Sequence, residues 1–238
     1  MNIRPLTTLD EFQLCVDLQR EAFGWADIDL LPRRFLVAMT HIGGLILGAF
    51  EGDRLVAFIS SIPAYRDGMV YWYSQMLAVA KDQWNTGAGS QLKLAQREAA
   101  LERGIRLIEW TFDPLESKNA YLNIVKLGAV VRRYLPNHYG ETTGALQAGL
   151  DSDRVIAEWW IDQPRPVLTG DIRRVVIPVD LQTLKKQSLD SARDIQKRVR
   201  EQFLTNIQDG YFAAGFERGD EWSQYLFTRG EPREYHPD

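Results

Sequence analysis

The stretch that decides the fold class is residues 69–103, MVYWYSQMLAVAKDQWNTGAGSQLKLAQREAALER. Its beginning, residues 69–80, is rich in aromatic and aliphatic side chains and predicts a strand. Its end, residues 89–103, places apolar residues at helical spacing and predicts a helix. Residues 81–90 form a glycine-containing turn between the two. Because such a turn exposes backbone N–H groups where a helix begins, it predicts a site for a pyrophosphate, unless the glycines serve only to make a tight turn.

The segments around this unit predict an α/β (α+β) fold with a mixed, mostly antiparallel central sheet flanked by helices. Two helices come first, and the strands 45–50 and 55–62 then flank a four-residue turn as a hairpin. Downstream, the pattern predicts four further elements: a strand over 106–112, a helix over 117–127, a strand over 129–135 and a strand over 154–161.

A linker rich in proline divides the chain. Residues 163–166, Gln-Pro-Arg-Pro, separate a predicted domain over 1–162 from a C-terminal extension over 167–238. The extension predicts a β-α-β-β unit whose helix begins near Ser191. Since it is small and thinly apolar, we expect it to pack on the first domain or at the interface of a homodimer.

The composition excludes several classes of partner. The 238 residues carry 28 Lys and Arg against 32 Asp and Glu, so no overall field favours nucleic acid or an anionic membrane. No apolar run approaches the roughly 20 residues that span a bilayer, and the chain opens without a secretory signal, which predicts a cytoplasmic location. The single cysteine, Cys15, is predicted to be a buried hydrophobe. His41 and His138 stand alone, so no metal site is predicted.

The order of elements around residues 69–103 resembles the GNAT superfamily of acyl-CoA-dependent N-acyltransferases. The pyrophosphate loop of that family reads Gln/Arg-x-x-Gly-x-Gly/Ala. Gly87, Ala88 and Gly89 match its glycine part, while Trp84 stands where the family has Gln or Arg. The resemblance covers residues 3–161.

A second match lies in the helix over 117–127. Ala120 and Gly128 keep the spacing of the family motif, whereas Ile124 replaces the tyrosine that protonates the departing CoA thiolate in many relatives. The residues from Trp110 to Asn123 are similar to an uncharacterised bacterial-type branch of the superfamily that carries a C-terminal extension.

The resemblance implies acetyl-CoA or another acyl-CoA as co-substrate. The pantetheine arm would pair with the backbone of Leu77, Ala78 and Val79, where the strand is expected to separate from its neighbour. Six residues would hold the pyrophosphate with backbone N–H groups: Asn85, Thr86, Gly87, Ala88, Gly89 and Ser90. Asn119 and Asn123 would bind pantetheine amides or the acceptor, unless they lie on a solvated face. Three lysines would pair with the adenosine phosphates or lie on the surface: Lys81, Lys93 and Lys118.

The resemblance also implies direct attack of a primary amine on the thioester, without a covalent enzyme intermediate. Asp113, at the end of its strand, is the first candidate for the base and Glu141 the second; the alternative for Asp113 is a turn cap before Pro114. The candidates for the acid are three tyrosines, Tyr121, Tyr134 and Tyr139. No acid is needed if the thiol leaves well enough without one.

These features predict an N-acyltransferase that acts on a small-molecule amine such as an amino acid, with no nucleic-acid or membrane partner. Trp84 and Ile124 favour an alternative, a non-catalytic CoA-binding or regulatory module of the same fold. A nucleotide-binding α/β protein is a third reading of the glycine-containing turn.

Overall fold

A computed structural model describes residues 1–140 and 149–230. The chain divides into two compact units, Met1–Glu109 and, over the described residues, 110–140 with 149–230. The predicted linker at 163–166 lies inside the second unit, so the boundary proposed there stays a prediction. Glu141 lies outside the described residues.

The first unit is a sheet in the order β1-β2-β3-β4-β5 with three long helices. Its elements are β1 (Asn2–Pro5), α1 (Leu9–Phe23), α2 (Arg33–His41), β2 (Leu45–Glu51), β3 (Arg54–Arg66), β4 (Met69–Val79), α3 (Ala88–Leu101) and β5 (Leu107–Phe112), whose last three residues belong to the second unit. Strands β1 to β4 pair antiparallel, and β5 is parallel to β4. The predicted class, α/β with a mostly antiparallel sheet, is confirmed.

Strand β1 corrects the predicted order, which began with two helices. Its four residues pair with β2 at the edge of the sheet. The strand is short and contains Pro5, so it carries too little alternation to be read from the sequence.

Helices α1 and α2 cover one face of this sheet. Thr8 begins α1 with a capping box, because its hydroxyl accepts the Glu11 N–H and the Glu11 carboxylate accepts the Thr8 N–H. The helices bury their apolar faces with Phe58 and Ala78 of the sheet. Cys15 is fully buried in this core, as predicted, and burial raises the pKa of its thiol to about 12.

The second unit is a sheet in the order β7-β6-β9-β10-β8 whose described pairs are antiparallel. Its elements are α4 (Ser117–Ala120), a π-helical segment (Tyr121–Leu127), β6 (Val130–Leu135), β7 (Arg154–Trp160), β8 (Arg173–Pro178), α5 (Leu181–Gln187), α6 (Leu189–Gln208), β9 (Tyr211–Glu217) and β10 (Trp222–Arg229). Strand β9 pairs with β6 at Ala213 and Val131, so the C-terminal strands continue the sheet of the elements before the linker.

Two helices of this unit differ from prediction. The helix over 117–127 is α-helical only to Ala120 and continues as a π-helix to Leu127, and Gly128, with φ 82°, caps its end. The extension has two helices instead of one that begins near Ser191. Asp180 caps α5, and Ser188 caps α6 by accepting the Ser191 N–H. The spacing of apolar residues predicts that these segments are helical. It does not predict the change from α-helix to π-helix at Tyr121 or the break between α5 and α6.

Candidate functional site

Strand β4 reaches the predicted loop through a β-bulge. Ser60 pairs with Met76 and Ser61 with Ser74, so Gln75 is one extra residue in β4. An extra residue reverses the alternation of side chains, which places Ser74 and Leu77 on the side of α3. Ala78, by contrast, packs in the core with α1 and α2.

The edge of β4 beyond the bulge lies where the pantetheine arm is expected. Within the first unit, β4 pairs with β5 at Trp72 and Tyr73, whereas Leu77, Ala78 and Val79 pair with β3. Strand β4 ends at Val79, so these three residues lie directly before the loop. Their role in binding stays a prediction.

The loop itself turns sharply before α3. A short 3₁₀ turn, Lys81–Gln83, follows β4, and the backbone is left-handed at Asn85, with φ 65°, and at Gly87, with φ 92°. The Trp84 indole N–H donates to the Val79 carbonyl at 2.9 Å, so this residue closes the loop onto the end of β4. The indole thus has a structural role at the position where the family has Gln or Arg.

The first turn of α3 presents backbone donors. Gly87 caps the helix without a side-chain hydrogen bond, and the helical ladder starts where the Gln91 N–H donates to the Gly87 carbonyl. The N–H groups of Ala88, Gly89 and Ser90 therefore precede the ladder and point out of the helix end. A methyl group built on Gly89 would lie 3.5 Å from Leu77 Cδ2, an ordinary contact, so the protein interior does not require glycine there. This arrangement fits a pyrophosphate.

Lys93, one turn further along α3, is not the surface or phosphate-pairing lysine that we expected. It is 2% exposed, and its Nζ donates to Ser74 Oγ at 3.0 Å and to Gln96 Oε1 at 3.2 Å. The Gln96 amide in turn donates to Ser61 Oγ and Ser74 Oγ. Burial lowers the pKa of Lys93 well below its ordinary value. The network ties α3 to β3 and β4 directly before the bulge.

In the second unit, Asp113 lies just beyond β5 with both carboxylate oxygens near a donor. Oδ1 accepts the Leu115 N–H at 2.8 Å, which is the turn cap that sequence reasoning left as the alternative. Oδ2 lies 4.0 Å from Arg154 Nη1. Burial raises the pKa of Asp113 to about 6, against the opposing effects of the Leu115 N–H and Arg154. A carboxyl group with this pKa is suited to accept a proton near neutral pH.

Tyr139 lies beside Arg154, the cation that faces Asp113. Its hydroxyl shares a hydrogen bond of 2.8 Å with Thr111 Oγ1, and the Arg154 guanidinium lies 5.2 Å from the centre of its ring. The side chain is about half exposed. The structure therefore brings Asp113, Arg154 and Tyr139 together, and Arg154 is the member that sequence reasoning missed.

The other two tyrosines have different surroundings. Tyr121 lies in the π-helical segment, and the charged groups of Lys126 and Arg218 lie 5.6 and 5.2 Å from its ring centre. Tyr134 is buried and donates to the Asp153 carboxylate at 2.5 Å. Burial and that hydrogen bond raise the pKa of Tyr134 well above its usual range, so it is a poor proton donor.

The predicted asparagine pair is split between two environments. Asn119 is exposed, whereas Asn123 is 4% exposed, and its backbone carbonyl accepts the N–H groups of Gly128 and Ala129. Ile124, at the position of the family tyrosine, is buried in the core.

In the first unit, the buried Glu109 carboxylate accepts a bidentate pair of hydrogen bonds from Arg66.

The described residues contain no group of three His, Cys, Asp or Glu side chains that could hold a metal ion. Across the same part of the chain, none of the helices combines the length and the apolar character needed to cross a membrane.

Comparisons with known proteins agree with this fold. Residues 12–122 match the model of the acetyltransferase (GNAT) family. A search of curated protein sequences finds no significant match. Among solved structures, aminoglycoside 6'-acetyltransferase type Ii is 24% identical with a TM-score of 0.54, and the alignment covers 70% of this chain and 100% of that one.

Two further structures show the same fold. An aminoglycoside 6'-N-acetyltransferase complexed with coenzyme A is 19% identical with a TM-score of 0.52, over 70% of this chain and 100% of that one. The ribosomal-protein-S18-alanine N-acetyltransferase from Escherichia coli is 16% identical with a TM-score of 0.55, over 71% and 99%.

Proposed function

Since residues 12–122 match the model of the acetyltransferase (GNAT) family, whose co-substrate is acetyl-CoA, we propose that the protein moves an acetyl or similar acyl group from acyl-CoA to the primary amine of a small molecule such as an amino acid. The observation that carries this proposal is the end of β4 and the uncapped first turn of α3. The match to the family model supports the class, an acyl-CoA-dependent N-acetyltransferase, and the acceptor is our inference.

The first unit supplies the groups that would bind acyl-CoA. The N–H groups of Ala88, Gly89 and Ser90 and the positive end of the α3 dipole would hold the pyrophosphate. The backbone of Leu77, Ala78 and Val79 would pair with the pantetheine amides.

The proposed chemistry is a direct transfer. The neutral acceptor amine attacks the thioester carbonyl carbon, the new C–N bond forms, and the C–S bond breaks to release the CoA thiolate. Asp113 accepts the proton that the amine loses, because its pKa of about 6 leaves it ionised yet basic at neutral pH. Tyr139 is the candidate to protonate the thiolate, although a thiol with a pKa near 8.5 also leaves without an acid.

A small acceptor is supported by charge. The chain carries 28 Lys and Arg against 32 Asp and Glu, a net charge of only -4. Such a balance produces no overall field that would attract a polyanion or a polycation. The solved relatives named above act on aminoglycosides and on a ribosomal-protein alanine, so the fold accommodates amines of different size. The cytoplasmic location and a homodimer stay predictions.

Two observations favour a second candidate, a non-catalytic CoA-binding module. Ile124 is buried where the family has its acid, and Trp84 closes the loop with its indole. The two functions differ in one measurable quantity, the release of free CoA from acetyl-CoA in the presence of a library of primary amines. Release that depends on an amine supports the transferase, and CoA binding without release supports the module.

The CoA site is tested by Gly89→Asp with Gly89→Asn as its matched control. The helix dipole stabilises a negative charge in the first turn of α3, but the same charge repels a pyrophosphate. The variant Gly89→Asp should therefore keep its thermal stability and lose affinity for CoA. The uncharged asparagine has the same size, and it should bind CoA at least tenfold more tightly than the aspartate variant, a difference of about 1.4 kcal/mol.

Calorimetric titration with CoA, acetyl-CoA and a longer acyl-CoA measures these affinities. Equal affinity in the two variants would refute the placement of the pyrophosphate at this helix end. No binding by the unmodified protein would refute the proposed function itself.

A further inference from the structure

The second unit contains a buried carboxylate whose main cation comes from the C-terminal extension. Asp153, directly before β7, is fully buried. Its Oδ2 accepts Arg200 Nε at 2.8 Å and the Tyr134 hydroxyl, and its Oδ1 accepts Arg200 Nη2 at 2.7 Å and the Asn137 N–H. Arg200 lies on α6, so a residue of the extension neutralises a charge next to the proposed base. This bidentate pair is the geometry that makes a buried ion pair tolerable.

Hydrogen bonds lead from this ion pair to Tyr139. The Asn137 side chain accepts the N–H and hydroxyl of Ser152, and Ser152 Oγ accepts the Tyr139 N–H at 2.9 Å. The Tyr139 hydroxyl then meets Thr111.

A second connection leads from the ion pair to Asp113. Arg154 Nη1 donates to the backbone carbonyl of Asp153 at 2.7 Å and lies 4.0 Å from Asp113 Oδ2. Arg154 thus contacts the backbone of Asp153 and faces the Asp113 carboxylate, while Arg200 pairs with the Asp153 carboxylate.

We propose that Arg200 is a positioning residue for acyl transfer: by occupying the Asp153 carboxylate, it keeps the Arg154 guanidinium beside Asp113 and Tyr139. The inference rests on the proposed function, because it gives the C-terminal extension a role in the geometry around the proposed base. Arg200 itself contacts neither Asp113 nor Tyr139 through a described hydrogen bond or ion pair, so it acts through Asp153 and Arg154.

The physical reason is that an unpaired buried carboxylate is costly. When Arg200 is replaced by an apolar residue, Arg154, whose Nη1 already reaches the Asp153 carbonyl, turns to the Asp153 carboxylate. Asp113 then loses a nearby positive charge. Among the described residues, the charged and titratable groups that face Asp113 are Arg154, Lys185, Glu116, Asp153, Tyr134 and Tyr225. Since Glu116 and Asp153 raise the pKa of Asp113 and Arg154 lowers it, the loss of Arg154 moves that pKa upward.

The test is a carbon-13 NMR titration of aspartate-labelled protein, in which the Asp113 signal is identified by its absence from Asp113→Asn. Arg200→Met should raise the Asp113 pKa by about one unit or more, the effect of losing an opposite charge at this distance. Arg200→Lys retains a charge for Asp153, and Asp113 should titrate as in the unmodified protein. This measurement needs no acceptor, so it is independent of whether acyl transfer is found.

A double variant guards against failure to fold. Arg200→Met with Asp153→Asn removes both charges, so nothing draws Arg154 away, and Asp113 should titrate at or below its original pKa. The acid limb of the pH profile for CoA release should move with the NMR value. An unchanged Asp113 pKa in folded Arg200→Met, an equal rise in Arg200→Lys, or a rise in the double variant would each overturn the inference.

Discussion

At the scale of the residue, Lys93 and Asp113 show that environment decides what a titratable group does. The Lys93 Nζ donates to the Ser74 hydroxyl, and the Asp113 carboxylate accepts the Leu115 N–H. Both side chains are mostly buried. Burial opposes the charged form in both, which lowers the pKa of the lysine and raises the pKa of the aspartic acid. The sequence names the two residue types but not these shifts, because the shifts come from packing against residues distant in the chain.

The buried lysine has a consequence for stability. In the unfolded chain, Lys93 is protonated at pH values below its ordinary pKa of 10.5. In the folded protein, burial lowers that pKa, so the amine loses its proton at a lower pH. Between the two pKa values, only the unfolded amine is protonated. The unfolded state then binds more protons, so the free energy of unfolding rises with pH, by up to about 1.4 kcal/mol per pH unit. Lys93→Met should remove this slope in the pH range between the lowered pKa of folded Lys93 and 10.5.

Urea denaturation at several pH values measures that slope. Lys197→Met, at an exposed position of α6, is the control and should follow the unmodified protein. A Lys93→Met curve that runs parallel to that of the unmodified protein would show that the amine is charged in the folded state.

At the scale of the element, the bulge in β4 and the π-helical segment after α4 change the direction in which side chains point. They leave the order of the helices and strands unchanged. The bulge turns Leu77 toward α3, and the π-helix ends at Gly128, whose N–H donates to the Asn123 carbonyl five residues back. Arg165 donates to the carbonyls of Val125 and Lys126 at this helix end. Irregular elements of this kind occur often at functional sites.

Gly128→Ala should destabilise the protein through two effects. The left-handed backbone costs a residue with Cβ about 1–2 kcal/mol, and the new Cβ would lie 2.8 Å from Arg165 Cγ, which displaces that side chain from the carbonyls. In an Arg165→Ala background, only the backbone cost remains, so the penalty should be smaller. Urea denaturation of the four proteins in this cycle gives both costs, and additive penalties would show that Arg165 does not hold the helix end.

At the scale of the whole molecule, we propose that residues 167–238 form a dependent extension of the domain over 1–162. Strand β9 pairs with β6, Arg200 neutralises Asp153, and Phe203 packs 5.4 Å from the Tyr134 ring. The solved relatives cover about 70% of the chain, which supports an added segment. The compact second unit includes elements from both sides of the linker.

A chain that ends at Asp162 should therefore lack a cooperative unfolding transition. It would leave the Asp153 charge buried without its cation, a loss of about 3–5 kcal/mol. The control is the full chain with a protease site inserted at 163–166 and cut after folding, which should keep both fragments together and its melting temperature nearly unchanged. A truncated chain that melts like the full one would disprove the dependence.

The sequence by itself determined the strand, the loop and the helix over residues 69–103, the hairpin before them and the family resemblance, because these follow from periodicity and turn chemistry within a few neighbouring residues. It also placed Asp113 at the end of β5. The tertiary structure decided the edge strand β1, the bulge at Gln75, the π-helical segment, the burial of Lys93 and the contact of Arg200 with Asp153. These depend on which residues meet across the fold, and the free energies of packing and desolvation that select them arise between segments far apart in the chain.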